Sequence, residues 1–203
     1  MKKRRKKKNT RNADKQIRKK IIVSLCVFLA FVLILGVSVY LNYLSDIKNH
    51  PLKYEREVFA SAQKHGIEAQ LVFSVILVES HFTPDAVSHS GAQGLMQIMP
   101  ETAEWIAWRQ DMKYDKSRVF EPAYNIDMGC YLLAYLMDYY NGNAEFALAA
   151  YNAGKNAVDG WIADETHSDG KQLTIPYPET RNYVKKVLNA YKKYGELYDE
   201  KFR

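Results

Sequence analysis

An uninterrupted apolar run from Ile21 to Leu41, IIVSLCVFLAFVLILGVSVYL, constrains this chain more than any other feature. It holds no charged side chain over twenty-one residues. A helix rises about 1.5 Å per residue, so the run matches the roughly 30 Å hydrocarbon core of a bilayer. The apolar core of a cleaved signal peptide is shorter, about 7–15 residues, and leads into a small-x-small cleavage site. Here the flanking positions Tyr40, Leu41, Tyr43 and Leu44 are bulky. Residues 21–44 therefore read as an uncleaved signal anchor forming one transmembrane helix, with Tyr40 and Tyr43 as interfacial aromatics.

The charge pattern gives that helix a direction. The chain's formal net charge of +6 suggests a nucleic-acid binder. The total conceals two opposed regions. Residues 1–20 carry twelve basic side chains against the single acid Asp14, whereas residues 21–203 carry 17 basic and 22 acidic ones. Lys and Arg beside a span are retained in the cytoplasm, which places the N-terminus inside and everything beyond residue 44 outside. Topology accounts for the basic arm, so no nucleic-acid partner is expected.

The remainder has the composition of a folded domain, with 47% hydrophobic and 13% aromatic residues over the whole chain. Ten Gly and six Pro exclude a collagenous or low-complexity architecture. Cys26 lies in the span and Cys130 in an expected helix, so the two are read as unpaired thiols. The expected organisation is a basic arm over 1–20, the anchor over 21–44, a polar linker over 45–53 containing Pro51, one domain over 54–194, and a tail over 195–203.

Within that domain helical periodicity dominates. Tyr54–His65 places Val58, Phe59 and Ala62 on one face and stops at Gly66. Ala69–Ser80, AQLVFSVILVES, is apolar almost all round and reads as a buried central helix. His81–Gly94 is a loop broken by Pro84, Gly91 and Gly94, and Pro100 opens the next helix. Helices are expected over Asn125–Tyr140, Ala144–Ala153 and Glu179–Tyr194, with an extended loop over 159–178. The fold class is mostly α, a compact single domain of about six helices after the membrane helix.

Glu79 is the leading catalytic candidate. It ends the apolar helix, where the negative end of the helix dipole and apolar surroundings both raise a carboxyl pKa. A general acid working near neutral pH needs such a shift. The plainer alternative is a helix-end glutamate turned to water.

The segments that follow discriminate between the two. After Glu79 comes SHFTPDAVSHSGAQGLMQIMPETA, then AYNAG at 150–154 and IPYPETRNYV at 175–184. In that order they resemble the Slt-type lytic transglycosylases, whose catalytic domain is similar to goose-type lysozyme. The resemblance spans roughly residues 54–194 and leaves out the arm and anchor. It implies that Glu79 is the single acid/base, and that Ser88, Met96 and Gln97 line a saccharide groove. It further implies that Tyr151, Asn152 and Tyr183 order the glutamate and the bound sugar. Each has a structural alternative, such as turn formation for Gln97, a helix end for Asn152 and core packing for Tyr183.

The implied activity is that of a lyase: cleavage of the MurNAc–GlcNAc β-1,4 bond of peptidoglycan, leaving 1,6-anhydroMurNAc ends. No cofactor and no metal are expected, because HExxH and clustered Cys/His patterns are missing from the sequence. The expected partners are peptidoglycan strands and the cytoplasmic membrane of a bacterial cell, with the catalytic domain at the wall. The rival readings are a hydrolytic, lysozyme-like muramidase and a wall-binding scaffold of low activity.

Overall fold

Helices, several of them stopped by a glycine or started at a proline, build the computed structural model, which describes residues 2–164, 166–168 and 173–203. It divides into two units, residues 1–49 and 50–203. The first is α1, a single helix over Lys2–Asn49. Its segment Arg18–Asn49 has a mean hydropathy of 3.0 over its most apolar window and is long enough to cross a bilayer. From Ile21 to Leu44 the large apolar side chains are exposed. The helix continues through residues 45–49, where the sequence suggests a linker.

The second unit is an assembly of helices around α3 (Ala69–Ser80). Residues Leu71 to Ile76 of α3 are all buried, as an all-apolar helix demands. It packs chiefly on α8 (Pro178–Phe202) and on α2 (Glu55–His65). α2 has Glu55 and Glu57 in its first turn and Lys64 and His65 in its last, each sign matched to the helix dipole. It ends where Gly66, at φ 66°, donates its N–H to Ala62 and Gln63 carbonyls. α8 lays Tyr183, Val184, Val187, Ala190 and Tyr194 into the core.

α4 (Pro100–Arg109) and α5 (Pro122–Tyr139) both begin at a proline, whose missing N–H costs nothing in a first turn. α6 (Ala144–Ala153) is capped by Asn143, whose side chain accepts the Phe146 N–H at 3.2 Å. α7 (Lys155–Ala163) follows Gly154 directly. Among the described residues there is no strand, only the isolated pairs Val87–Gln93, Gln93–Ile98 and Ser168–Leu173. Cys130 is buried and free.

Two elements differ from their expected extent. The segment read as loop from residue 159 begins inside α7, which buries Val158 and Trp161. Nine residues interrupted by Gly160 are too short for periodicity to register. The rest of that expected loop lies partly outside the described residues. α8 runs past Gly195 to Phe202, bending at Tyr198 (φ −137°), so Gly195 does not end it. There the Gln70 amide nitrogen lies 2.8 Å from where a Cβ would stand. Gly195 is thus a close-approach position within a helix.

Candidate active site

The last turn of α3 holds two neighbouring polar residues with opposite tasks. Ser80 is buried and its hydroxyl donates to the Ile76 carbonyl at 3.2 Å and the Leu95 carbonyl at 2.8 Å. It fastens the helix end to the loop over 81–99. The chain then reverses through His81 and Phe82, both left-handed at φ 49° and 61°. Such conformations cost non-glycine residues about 1 kcal/mol each. Glu79 is left half-buried at the mouth of this turn, and burial raises its pKa from 4.5 to about 7. Among the described residues it makes no ion pair.

Two tyrosines from distant elements converge on it. Tyr183 of α8 is buried, and its hydroxyl approaches the Glu79 carboxylate closely enough to pull that pKa partly back down. The approach falls short of full hydrogen-bond geometry and the hydroxyl has no other partner. Tyr151 of α6 donates its hydroxyl to the Met96 carbonyl at 2.8 Å. Burial first, and the charge of Glu79 next, push both phenols well above their usual range. Both therefore remain O–H donors at any pH where the protein is folded.

The loop between Ser80 and α4 is built by its own polar groups. Gln97, left-handed at φ 48°, donates its side-chain amide to the Gly94 carbonyl at 2.8 Å and the Ala86 carbonyl at 3.1 Å. Ser88 accepts the Ala92 N–H on its hydroxyl at 3.0 Å and closes a tight turn. Met96 is fully buried, facing Gly129, where a Cβ would lie 2.2 Å from its sulfur. Its side chain belongs to the core, and its backbone carbonyl is what meets Tyr151. Asn152 follows Tyr151 in the last turn of α6 and is half-buried. The structure thus brings Glu79, Tyr151 and Tyr183 together and gives Gln97, Ser88 and Met96 roles in shaping the adjoining loop.

Asn125 is the residue that sequence reasoning passes over. It is 1% exposed in the first turn of α5. Its side-chain oxygen accepts the Met96 N–H at 2.8 Å, while its amide donates to Gln93 and Val119 carbonyls at 3.0 and 2.9 Å. One side chain satisfies three backbone groups, two in the loop and one just before α5. The available signal was an amide at the start of an otherwise apolar helical face.

Of the aromatics whose rings could stack on a sugar, Trp108 and Tyr177 are exposed, Trp105 and Tyr114 are half-buried and Trp161 is buried. A cavity of about 820 Å³ lies toward the opposite end of α6, between Tyr139, Phe146, Asp159 and Ile162. The perturbed carboxyl and converging hydroxyls are at Glu79, so the chemistry is assigned there. A second cavity, of about 290 Å³, is walled by Thr102, Trp105, Tyr135, Tyr151 and Lys155 and so adjoins this cluster through Tyr151.

Residues 57–174 match the Transglycosylase SLT domain family. The chain is 37% identical over 166 residues to membrane-bound lytic murein transglycosylase C of Haemophilus ducreyi, covering 70% of this chain and 45% of that protein. Among solved structures, an inactive mutant of lytic transglycosylase Slt from Pseudomonas aeruginosa superposes with a TM-score of 0.66 and 34% identity. That match covers 72% of this chain and 24% of the other. The 70-kDa soluble lytic transglycosylase of Escherichia coli gives a TM-score of 0.69 and 30% identity, over 74% of this chain and 25% of its own. The chain therefore spans under half the length of this curated relative and about a quarter of each solved chain.

Proposed function

The chain belongs to the transglycosylase SLT domain family, and from that premise we propose that it is a membrane-anchored lytic transglycosylase acting on peptidoglycan. The observation that carries this reading is Glu79: one carboxyl, half-buried, with a pKa near 7, approached by a tyrosine hydroxyl and unpaired with any cation among the described residues. In its protonated form Glu79 donates to the glycosidic oxygen between MurNAc and GlcNAc. The C1–O bond breaks and oxocarbenium character develops at the muramic carbon, where the sugar's own acetamido oxygen stabilises it. The Glu79 carboxylate then takes the proton of the 6-hydroxyl on the same sugar. The O6–C1 bond forms and closes a 1,6-anhydro ring, regenerating the acid.

An intramolecular nucleophile has an effective molarity far above that of water. Two-carboxylate hydrolysis requires a second acid facing the first across the bond. Among the described residues no second carboxylate contributes to the titration of Glu79, and Asp85 lies exposed in the loop. This favours the transglycosylase over the muramidase. Tyr151 and Tyr183 are assigned to hold the carboxyl and the sugar, and Ser88, Gln97 and Asn152 to the rim of the groove. Met96 contributes through its backbone. The exposed apolar surface of α1 from Ile21 to Leu44 supports a single-pass anchor with the basic arm inside and the domain outside.

Product analysis tests the reaction. Murein sacculi digested by the wild type are expected to yield 1,6-anhydromuramyl ends by mass spectrometry, and reducing ends would overturn the assignment. Glu79→Gln is expected to lower the rate by about 10²–10⁴-fold, the usual worth of a general acid/base, with the fold retained by circular dichroism.

A further inference from the structure

The cavity of about 820 Å³ at the far end of α6 has a lining that the acid/base chemistry does not use. It lies where the end of α5, the first turn of α6 and the second half of α7 meet. Phe146 on its wall and Tyr151 beside Glu79 are five residues apart on α6, so at 3.6 residues per turn they point about 140° apart around the helix. Lys155 stands between the two regions. It lines the smaller cavity beside Tyr151, its ammonium lies 3.9 Å from the centre of the Tyr139 ring, and it pairs with Asp159 at 2.5 Å. The larger cavity is a separate site behind that ridge, on another face of α6 from the one that serves Glu79.

Its side chains combine oriented rings with amides and no net charge. Tyr139 is 44% exposed, yet its ring is fixed between the Lys155 ammonium and the ring of Tyr140, which meets it edge-on at 4.9 Å and 85°. Tyr140 in turn packs edge-on against Phe146 at 6.0 Å. Asp159, the charged residue of the lining, accepts the Tyr140 hydroxyl at 3.0 Å and is neutralised by Lys155. Asn141 and Asn143 supply the amides. The Asn143 side-chain oxygen is engaged by the Phe146 N–H at 3.2 Å, and its NH2 group has no partner among the described residues. The volume falls inside the range of small-molecule sites, roughly 300–1,000 Å³.

We propose that this cavity is a second glycan site, which holds an uncharged N-acetylhexosamine on a strand other than the one being cut. An aromatic face such as that of Tyr139 is the flat apolar surface against which the C–H side of a pyranose packs. The asparagine amides donate to the acetamido carbonyl, and Asp159 accepts a sugar hydroxyl. A neutral lining disfavours a ligand whose charge it leaves unpaired. The site therefore selects the GlcNAc residues over the muramic residues, whose branches carry carboxylates. The inference rests on the peptidoglycan reading above and deepens it. A second weak contact with the wall raises the effective concentration of the next strand at Glu79 without any change in the chemistry there.

The test compares two substrates of the full chain in detergent micelles: intact sacculi, which offer neighbouring strands, and a short soluble strand, which occupies the catalytic groove alone. Tyr139→Ala is expected to raise the KM for sacculi about five- to tenfold, the worth of one aromatic contact. It is expected to leave kcat on both substrates, and the KM for the short strand, unchanged, which also shows that the variant is folded. Tyr139→Phe keeps the ring and is expected to keep the wild-type KM. Chitobiose, two uncharged GlcNAc units, is expected to inhibit wild-type cleavage of sacculi and not of the short strand. The proposal is overturned by a sacculus KM that Tyr139→Ala leaves unchanged, by an equal loss on both substrates, by a Tyr139→Phe as impaired as Tyr139→Ala, or by chitobiose inhibition that is absent or equal on both. A wild type that cleaves neither substrate overturns the peptidoglycan reading and this inference together. One that cleaves both without these differences overturns this inference alone.

Discussion

Glu79 is a destabilising residue held in place by its surroundings. Its carboxyl binds a proton more tightly in the folded chain than in the unfolded one, at about 7 against 4.5. Below the lower value both states are protonated and folding is unaffected. As pH rises through that window the unfolded chain releases its proton first, so stability falls until the folded form has also ionised. At about 1.4 kcal/mol per pH unit, the ionised form costs the fold about 3 kcal/mol. Glu79→Gln is therefore expected to stabilise the protein by up to about 3 kcal/mol at pH 8 and hardly at pH 4, measured by urea unfolding at both. The same carboxyl sets the alkaline limit of the proposed catalysis, since the acid form is lost above about pH 7. Tyr183 holds the Glu79 pKa down by favouring the carboxylate. Tyr183→Phe is expected to move the alkaline limb of the pH–rate profile upward, and a limb that stays in place would remove Tyr183 from the site.

Between residues and whole molecule, the decisive element is the loop over 81–99, which has almost no regular structure and is rigid through its polar bonds. Ser80, Asn125, Gln97 and Tyr151 each bind its backbone from a different direction. At Gly94 α5 approaches it closely. At φ +78° this residue has a backbone that favours glycine, and a Cβ there would stand 2.2 Å from the Asn125 amide nitrogen and 2.9 Å from the Val119 carbonyl oxygen. Gly94→Ala combines left-handed strain with the loss of buried hydrogen bonds. It is expected to cost about 3 kcal/mol and to lower activity beyond what the stability loss explains, because the loop carries the Tyr151 acceptor. Denaturant unfolding and specific activity of the folded fraction separate the two effects.

For the molecule as a whole, the C-terminal turns of α8 matter more than a terminal position suggests. Phe202 packs 6.1 Å from Phe59 and 6.0 Å from Phe73, ring centre to ring centre. Tyr198 donates to the His50 carbonyl at 2.9 Å, and Lys201 pairs with Glu55 at 2.7 Å. These contacts join the last residues of the domain to its first. Deleting residues 196–203 is expected to remove about 2–3 kcal/mol and lower Tm by roughly 5–10 °C, read by thermal unfolding in detergent. An unchanged Tm would show that the end of α8 is an appendage.

How much of this was legible in the sequence depended on range. A run of twenty-one uncharged residues and a basic flank are local facts, and so the candidate span and its proposed direction are read from sequence and need no fold. The all-apolar α3 had to be central because no face of it tolerates water, and this made the carboxylate at its end a candidate for desolvation. Whether Glu79 turned to water or stayed half-buried was decided by packing. What composition and period could not supply was convergence. Tyr183 lies 104 positions after Glu79 and Tyr151 lies 72 after it, so only the packing of α8 on α3, and of α6 on α8, brings the two tyrosines to one carboxyl. Met96 sits in the motif but is turned into the core by Gly129, and Asn125 is ordinary in sequence yet satisfies three backbone groups. Hydrophobic pattern is a property of neighbours along the chain and is written in the sequence. Hydrogen-bond satisfaction and desolvation depend on which distant groups share a space, and that was decided only by the tertiary structure.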